Sequence, residues 1–282
     1  MASLVWGCCR LIGAMPHWLR YYVLQDTIYF IVYKCLRYRV GVVTENLRNS
    51  FPDRPMAEIK RIRRSFYHNL SEIFISTVSQ AAMSDDDCRR RVRVKNLDEV
   101  LSDLRGRDAL LSTAHFGCWE YDSFLALYTG EHYLAAVYHP LENKVIDAVY
   151  MRLRRRRNIR LIPMKEIIRY YIGIGLIADQ NPPLRPNSHW FRFLNQDTVF
   201  FDGIEKMALK FHMPVYFCRQ RRLRRGYYEL EFLRLYDGVE QVAPNEVTER
   251  YVRQLESDIV ADPGMWLWSH RRWKHRRPQC PS

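Results

Sequence analysis

The sequence predicts an α/β fold: a mixed, mostly parallel sheet flanked by helices, preceded by a helical N-terminal segment. Three observations predict it. From Ala109 onward, short apolar runs alternate with stretches of helical period, the pattern of a parallel sheet. The runs 214–219 and 227–233 are joined by an Arg-rich turn ending at Gly226, which makes them an antiparallel hairpin and the sheet mixed. With 282 residues, 48% of them hydrophobic, the chain is long and apolar enough to bury a sizeable core.

The elements follow in order. Residues 4–38 read as helical, with Pro16 as a break. Residues 40–50 lead to Phe51-Pro52. In 56–80, Ile59, Ile62, Phe66, Leu70, Ile73 and Phe74 recur at helical spacing and predict a long amphipathic helix. Asp85-Asp86-Asp87 marks a helix start or a loop, Val92 and Val94 a short strand, and 97–104 a helix. Strands are then expected at 110–114, 133–138, 161–162, 176–178, 214–219 and 227–233. Helices are expected at 119–128, 143–157, 165–171, 204–212 and 245–259. The Pro-rich stretch from Asn181 to about Asn195 reads as a loop. We divide the chain into an N-terminal segment, 1–45, and a main domain, 46–282.

That N-terminal segment is rich in Trp, Tyr, Ile, Val and Leu, but Arg10, His17, Arg20 and Asp26 interrupt it. It lacks the roughly 18 uninterrupted apolar residues of a spanning helix. Trp6, Trp18, Tyr21 and Tyr22 with basic flanks suit a helix lying in a membrane interface. The alternative is an amphipathic helix packed on the protein's own core.

Charge and cysteines narrow the function. The net charge of +13 implies an anionic partner: nucleic acid, a membrane surface or an acidic protein. Arginines cluster at 152–157, 219–225 and 271–277; each cluster reads as a solvated face or as a phosphate contact. Trp266, Trp268 and Trp273 interleave with the last cluster. They read as a phospholipid or nucleic-acid contact, or as a tail docked on the core. The seven cysteines include no CxxC pair, so no zinc or redox motif is signalled, and reduced thiols are expected. Gly173-Ile174-Gly175 opens a GxGxxG/A match, but a helix precedes it and a strand follows, the reverse of a dinucleotide fingerprint. P-loop, GxSxG and HExxH motifs are absent.

The sharpest chemical signal is Ala114-His115-Phe116-Gly117-Cys118-Trp119-Glu120, at the end of an apolar strand. Gly117 permits a sharp turn, and a helix start leaves unpaired N–H groups facing the site. His115 suits a general base and Glu120, five positions on, its orienting acid. Spacing of this kind is also common among ordinary surface and core pairs. Ser112 would lie inside the strand and is no nucleophile. Asp179 closes a strand, where α/β sites collect, or caps the Pro182-Pro183 loop.

Several of these segments, in this order, resemble the bacterial lipid A secondary acyltransferases of the lysophospholipid acyltransferase superfamily. Residues 46–52, Asn-Leu-Arg-Asn-Ser-Phe-Pro, are similar to that family's NL..SFP element. Residues 114–120 are similar to its HxxxxE motif, and Ala178-Asp179-Gln180 to its DQ. Phe200-Phe201-Asp202-Gly203 is similar to an altered FFG, and residues 268–274 to its W.HRRWK. Where the family has Tyr-Arg-Pro, this chain has Tyr138-His139-Pro140. The resemblance implies a glycerolipid-acyltransferase-like fold and transfer of a fatty acyl chain to a hydroxyl of a lipid A precursor. The donor would be acyl carrier protein or acyl-CoA as co-substrate, with no resident cofactor and no metal. It implies His115 as base and Glu120 as orienter. Arg154, Arg156, Asp179, Gln180 and His139 are candidate substrate-binding residues. It also implies an anionic membrane lipid surface at the cytoplasmic face of the inner membrane, a glycolipid acceptor, and no nucleic acid. Rival readings are an acyltransferase for another polar lipid, such as a phosphatidylinositol mannoside or an ornithine or glycine lipid, and a non-catalytic basic binding protein.

Overall fold

The computed structural model describes residues 1–129, 134–138, 141–154, 159–163 and 174–277. Its centre is a seven-stranded sheet of order β1-β9-β8-β2-β5-β3-β4. The strands are β1 (Val92–Val94), β2 (Leu110–Thr113), β3 (Leu134–Tyr138), β4 (Ile159–Pro163), β5 (Ile174–Ile177), β8 (Val215–Arg224) and β9 (Tyr227–Tyr236). All neighbours run parallel except β8 and β9, the antiparallel hairpin predicted from the Arg-rich turn. The mixed sheet is therefore as expected.

The N-terminal segment is helical. Helix α1 (Ala2–Ala14) stops because the residue before Pro16 is pushed out of the helical region: Met15 has ψ 152°. Two wide π-type turns, 19–24 and 30–35, flank α2 (Gln25–Tyr29). Among the described residues, no helix is long and apolar enough to cross a membrane. The segment packs along α4 (Met56–Ser79), burying Tyr21 and Tyr29. Several of its large apolar side chains stay open to solvent: Leu4, Leu11, Trp18, Tyr22 and Phe30 are all exposed.

Helix α3 (Val40–Ser50) shows why the Asn-Leu-Arg-Asn-Ser-Phe-Pro segment is placed where it is. Asn46 donates to the carbonyls of Trp268 and His270 at 2.9 and 3.0 Å, and Phe51 packs on the Trp268 ring. The two ends of the chain are thereby tied together. The C-terminal tryptophans dock on the core: Trp266 and Trp268 are fully buried. Helix α5 (Asp85–Arg91) is a true helix start, closed by a Ser84–Asp87 capping box, and α6 (Leu97–Leu104) has the predicted bounds.

Beyond these, α7 (Lys144–Arg154) packs under α1 through Cys9, Val149 and Leu153, α8 (Gly203–Phe211) lies on β2, and α9 (Glu246–Ala261) lies on β8 and β9. Two expectations are corrected. The Pro-rich loop ends in a small hairpin, β6 (Trp190–Phe193) with β7 (Gln196–Val199), whose turn places Leu194 and Asn195 in the left-handed region. The segment expected as a helix at 119–128 is a 3₁₀ helix, Trp119–Leu127, whose tighter winding suits a run pinned at both ends. The helix expected at 165–171 and the first glycine of the GxGxxG match lie outside the described residues.

Candidate active site

The register of two strands builds the site. β2 and β5 are parallel neighbours, with Thr113 opposite Ile177. Two residues past each strand end stand His115 and Asp179, which the same offset brings face to face. His115 Nδ1 lies 2.7 Å from Asp179 Oδ1, and the His115 backbone N–H donates to Oδ2 at 3.1 Å. The Trp266 indole N–H donates to the same Oδ2 at 2.8 Å. Asp179 is 2% exposed, so these bonds are what make its charge tolerable there.

Electrostatics favour an ionised Asp179. Burial alone would raise its carboxyl. The charge and hydrogen bond of His115, the Trp266 indole and the His115 backbone N–H outweigh that and hold it below the usual carboxylate range. A carboxylate only accepts, so Nδ1 carries a proton, and in the neutral form of the ring the lone pair is on Nε2. Gln180 Nε2 stands 3.2 Å from that nitrogen and donates to it.

The expected orienter is elsewhere. Both oxygens of Glu120 are taken by Arg154 in a fork, at 2.6 and 2.9 Å. The reading of His115 with Glu120 is therefore corrected: the ring's carboxylate partner is Asp179. Five residues cannot bring the two side chains together here, because Gly117 at φ +62° turns the chain sharply between them. The left-handed φ favours glycine at that turn, and a Cβ there would meet Gln220 Oε1 at 2.2 Å and force that side chain to shift. That same oxygen accepts from the Cys118 N–H. Arg154, expected among the phosphate ligands, spends two of its nitrogens on Glu120. Arg156 and His139 lie outside the described residues.

A mostly apolar cavity of about 140 Å³ shares the Trp119 side chain with the site. Its walls include Leu111, Trp119, Leu134, Val137 and Ile177, with Glu120, Asp122 and Arg154 as polar members. The Trp119 ring stands edge-on to the His115 ring at 5.0 Å. Asp122 is held by Thr113 at 2.9 Å and Gln220 at 3.0 Å, and burial pushes its carboxyl up to about 7 despite both bonds.

Alternative nucleophiles fall away. Ser112 is buried in the strand and donates to the Tyr216 carbonyl. Cys118 and Cys218 are buried, and burial raises both thiols well above their ordinary range, so neither is a thiolate. Among the described residues no group of three metal-ligating side chains exists.

The C-terminal segment closes the site. Leu267 N–H donates to the His115 carbonyl at 3.1 Å, and Arg272, buried against the Phe200 ring, donates to Asn181 Oδ1 at 2.8 Å. Sequence reasoning missed Trp266 as a site residue. Its signal was its place two residues before the W.HRRWK element, beside residues already singled out.

The profile of bacterial lipid A biosynthesis acyltransferases matches residues 1–275. The chain belongs to that family. It is thus an acyltransferase of lipid A biosynthesis, as the ordered motifs implied. A comparison with curated proteins returned no match.

Proposed function

We propose that this acyltransferase moves a fatty acyl chain from acyl carrier protein directly to a hydroxyl of a lipid A precursor, with His115 as general base and Asp179 holding its ring. The His115–Asp179 pair at the end of two register-matched strands is the observation that carries this reading. The acceptor hydroxyl displaces Gln180 from Nε2 and gives its proton to that nitrogen as its oxygen attacks the thioester carbonyl. Asp179 stabilises the imidazolium that forms, as the acid of a triad does. When the tetrahedral intermediate collapses, the C–S bond breaks and the imidazolium returns the proton to the leaving thiolate. The backbone N–H groups of Trp119 and Glu120, at the helix start, would stabilise the oxyanion. Among the described residues no thiolate or free serine stands beside His115, and direct transfer needs no acyl-enzyme.

The apolar cavity beside Trp119 suits the acyl chain. An acidic carrier protein as donor suits a chain of net charge +13. The exposed Leu4, Trp18, Tyr22 and Phe30 suit an N-terminal segment lying on the cytoplasmic face of the inner membrane, where the glycolipid acceptor resides. Mass spectrometry of lipid A from cells carrying wild-type or His115→Ala protein tests the reading. The variant should lose one acyl chain at equal protein abundance; an unchanged acylation pattern would sink it.

A further inference from the structure

The N-terminal segment meets the tip of the β8–β9 hairpin in a cluster that the acyl-transfer chemistry does not use. Arg20 is 93% buried by its 7% exposure, yet its Nε and Nη1 have no hydrogen-bond partner among the described residues. His17 Nδ1 is likewise unpartnered. Arg20 and Arg91 both approach the Tyr21 ring, their guanidinium carbons 5.8 and 5.3 Å from its centroid. Arg91 and Arg224 both approach Tyr227, at 5.0 and 3.9 Å. The His17 ring stands 4.6 Å from Tyr21 and 5.5 Å from Tyr227. Two tyrosine rings thus frame one histidine and three guanidiniums.

No carboxylate bonds to these three arginines among the described residues; Arg91 donates only to the Gly226 carbonyl, at 3.1 Å. The nearby acids are committed elsewhere. Asp87 holds Ser84 and Arg90, Asp26 holds Arg225, and Glu72 holds Arg222, Tyr228 and the Gly226 N–H. Burying a guanidinium with open donors beside two like charges is unfavourable unless an anion joins it. Cation–π contacts with the tyrosines offset part of that cost and leave the donors free.

We propose that Arg20, Arg91 and Arg224, with His17 beside them, form a binding site for a phosphate-type anion. Burial, then the charges of Arg91, Arg20 and Arg224, push the His17 ring down to about 4, so it is neutral near pH 7 and adds no repulsion. The location favours a lipid headgroup as the source. Trp18 and Tyr22, both exposed, flank Arg20 in sequence, and β8 runs on past the strand end that carries His115. Tyr21 also bonds Ser76 and Tyr121 at 3.1 and 3.2 Å, so the cluster is anchored to the helix that walls the cavity. This site does not rest on the acyl-transfer reading, because its test reads binding alone.

The full chain is titrated with inorganic phosphate, followed by thermal unfolding, and with phosphatidylcholine vesicles with and without phosphatidylglycerol. Arg20→Met and Arg224→Gln should each weaken binding to phosphatidylglycerol vesicles about five- to tenfold and leave binding to neutral vesicles unchanged. Arg221→Gln, an exposed arginine of the same hairpin outside the cluster, should stay near wild type. If phosphate alone stabilises the wild type and neither variant, the site takes the free anion as well. Should Arg20→Met not fold, Arg224→Gln against Arg221→Gln carries the test. The site is refuted if both cluster variants respond to phosphate and vesicles as wild type, or if Arg221→Gln loses as much as Arg224→Gln.

Discussion

Two buried carboxylates belong to this site, and each is matched to a different base. Asp179 takes His115; Glu120 takes Arg154. Asp179 sits at the end of a strand, where register with β2 fixes it opposite the histidine. Glu120 sits on the 3₁₀ helix, past the Gly117 turn, and faces α7. Strand register sets the His115–Asp179 contact, while the Glu120–Arg154 fork clamps a wall of the apolar cavity. A motif that reads as a local pair is, in the fold, one half of two long-range pairs.

That contrast can be broken by mutation. The largest effect should come from His115→Ala, which removes the proposed base; activity in a purified transfer assay should fall by about 10⁴-fold or more. Glu120→Ala and Arg154→Ala should each cost about 10- to 30-fold, by loosening the wall. The double variant should lose no more than the worse single one, since each partner acts only through the other. A full multiplicative loss in that cycle would show that the two residues work separately. Trp266→Phe removes one of three bonds to Asp179 and should cost about tenfold, with the acid limb of the pH–rate profile moved upward. An unmoved profile would make Trp266 a packing residue only.

The smallest effect concerns Asp122 and is read as stability. Its carboxyl is raised to about 7 when folded, from an ordinary value near 3.8. Between those values the folded chain holds a proton that the unfolded chain releases. Stability from this group is therefore lost as pH rises from about 4 through about 7. Asp122→Asn should remove that slope and gain up to about 4 kcal/mol relative to wild type at pH 8, with little gain at pH 4. Thermal unfolding at both pH values decides it. An equal change at both would mean the carboxyl is ionised throughout.

Much of this fold was legible in the sequence because its strands are short apolar runs separated by helical period. The hairpin and the break at Pro16 also announced themselves chemically. The β6–β7 hairpin did not, because Leu194 and Asn195 make its turn without glycine. The pairing within the site was only half legible. His115 and Asp179 were both visible as residues closing strands, and Gln180 as their neighbour. Their contact depends on which strands are adjacent and in what register, and a separation of 64 residues gives no local sign of that. Glu120 reads as the partner from its spacing and from the HxxxxE resemblance, and a single glycine turns it away. The arginine cluster at 219–225 divided in the same manner: Arg219 and Arg222 are spent on acids, while Arg224 joins Arg20 and Arg91.

The account stands most directly on one comparison of two isosteric variants, Asp179→Asn and Glu120→Gln. Initial rates of acyl transfer from acyl carrier protein to the lipid A precursor are measured for both, at matched folded protein. The account predicts a loss of about 10³- to 10⁴-fold for Asp179→Asn, through the wrong histidine tautomer, and at most about 30-fold for Glu120→Gln. A Glu120→Gln loss as large as that, with Asp179→Asn within tenfold of wild type, would contradict it.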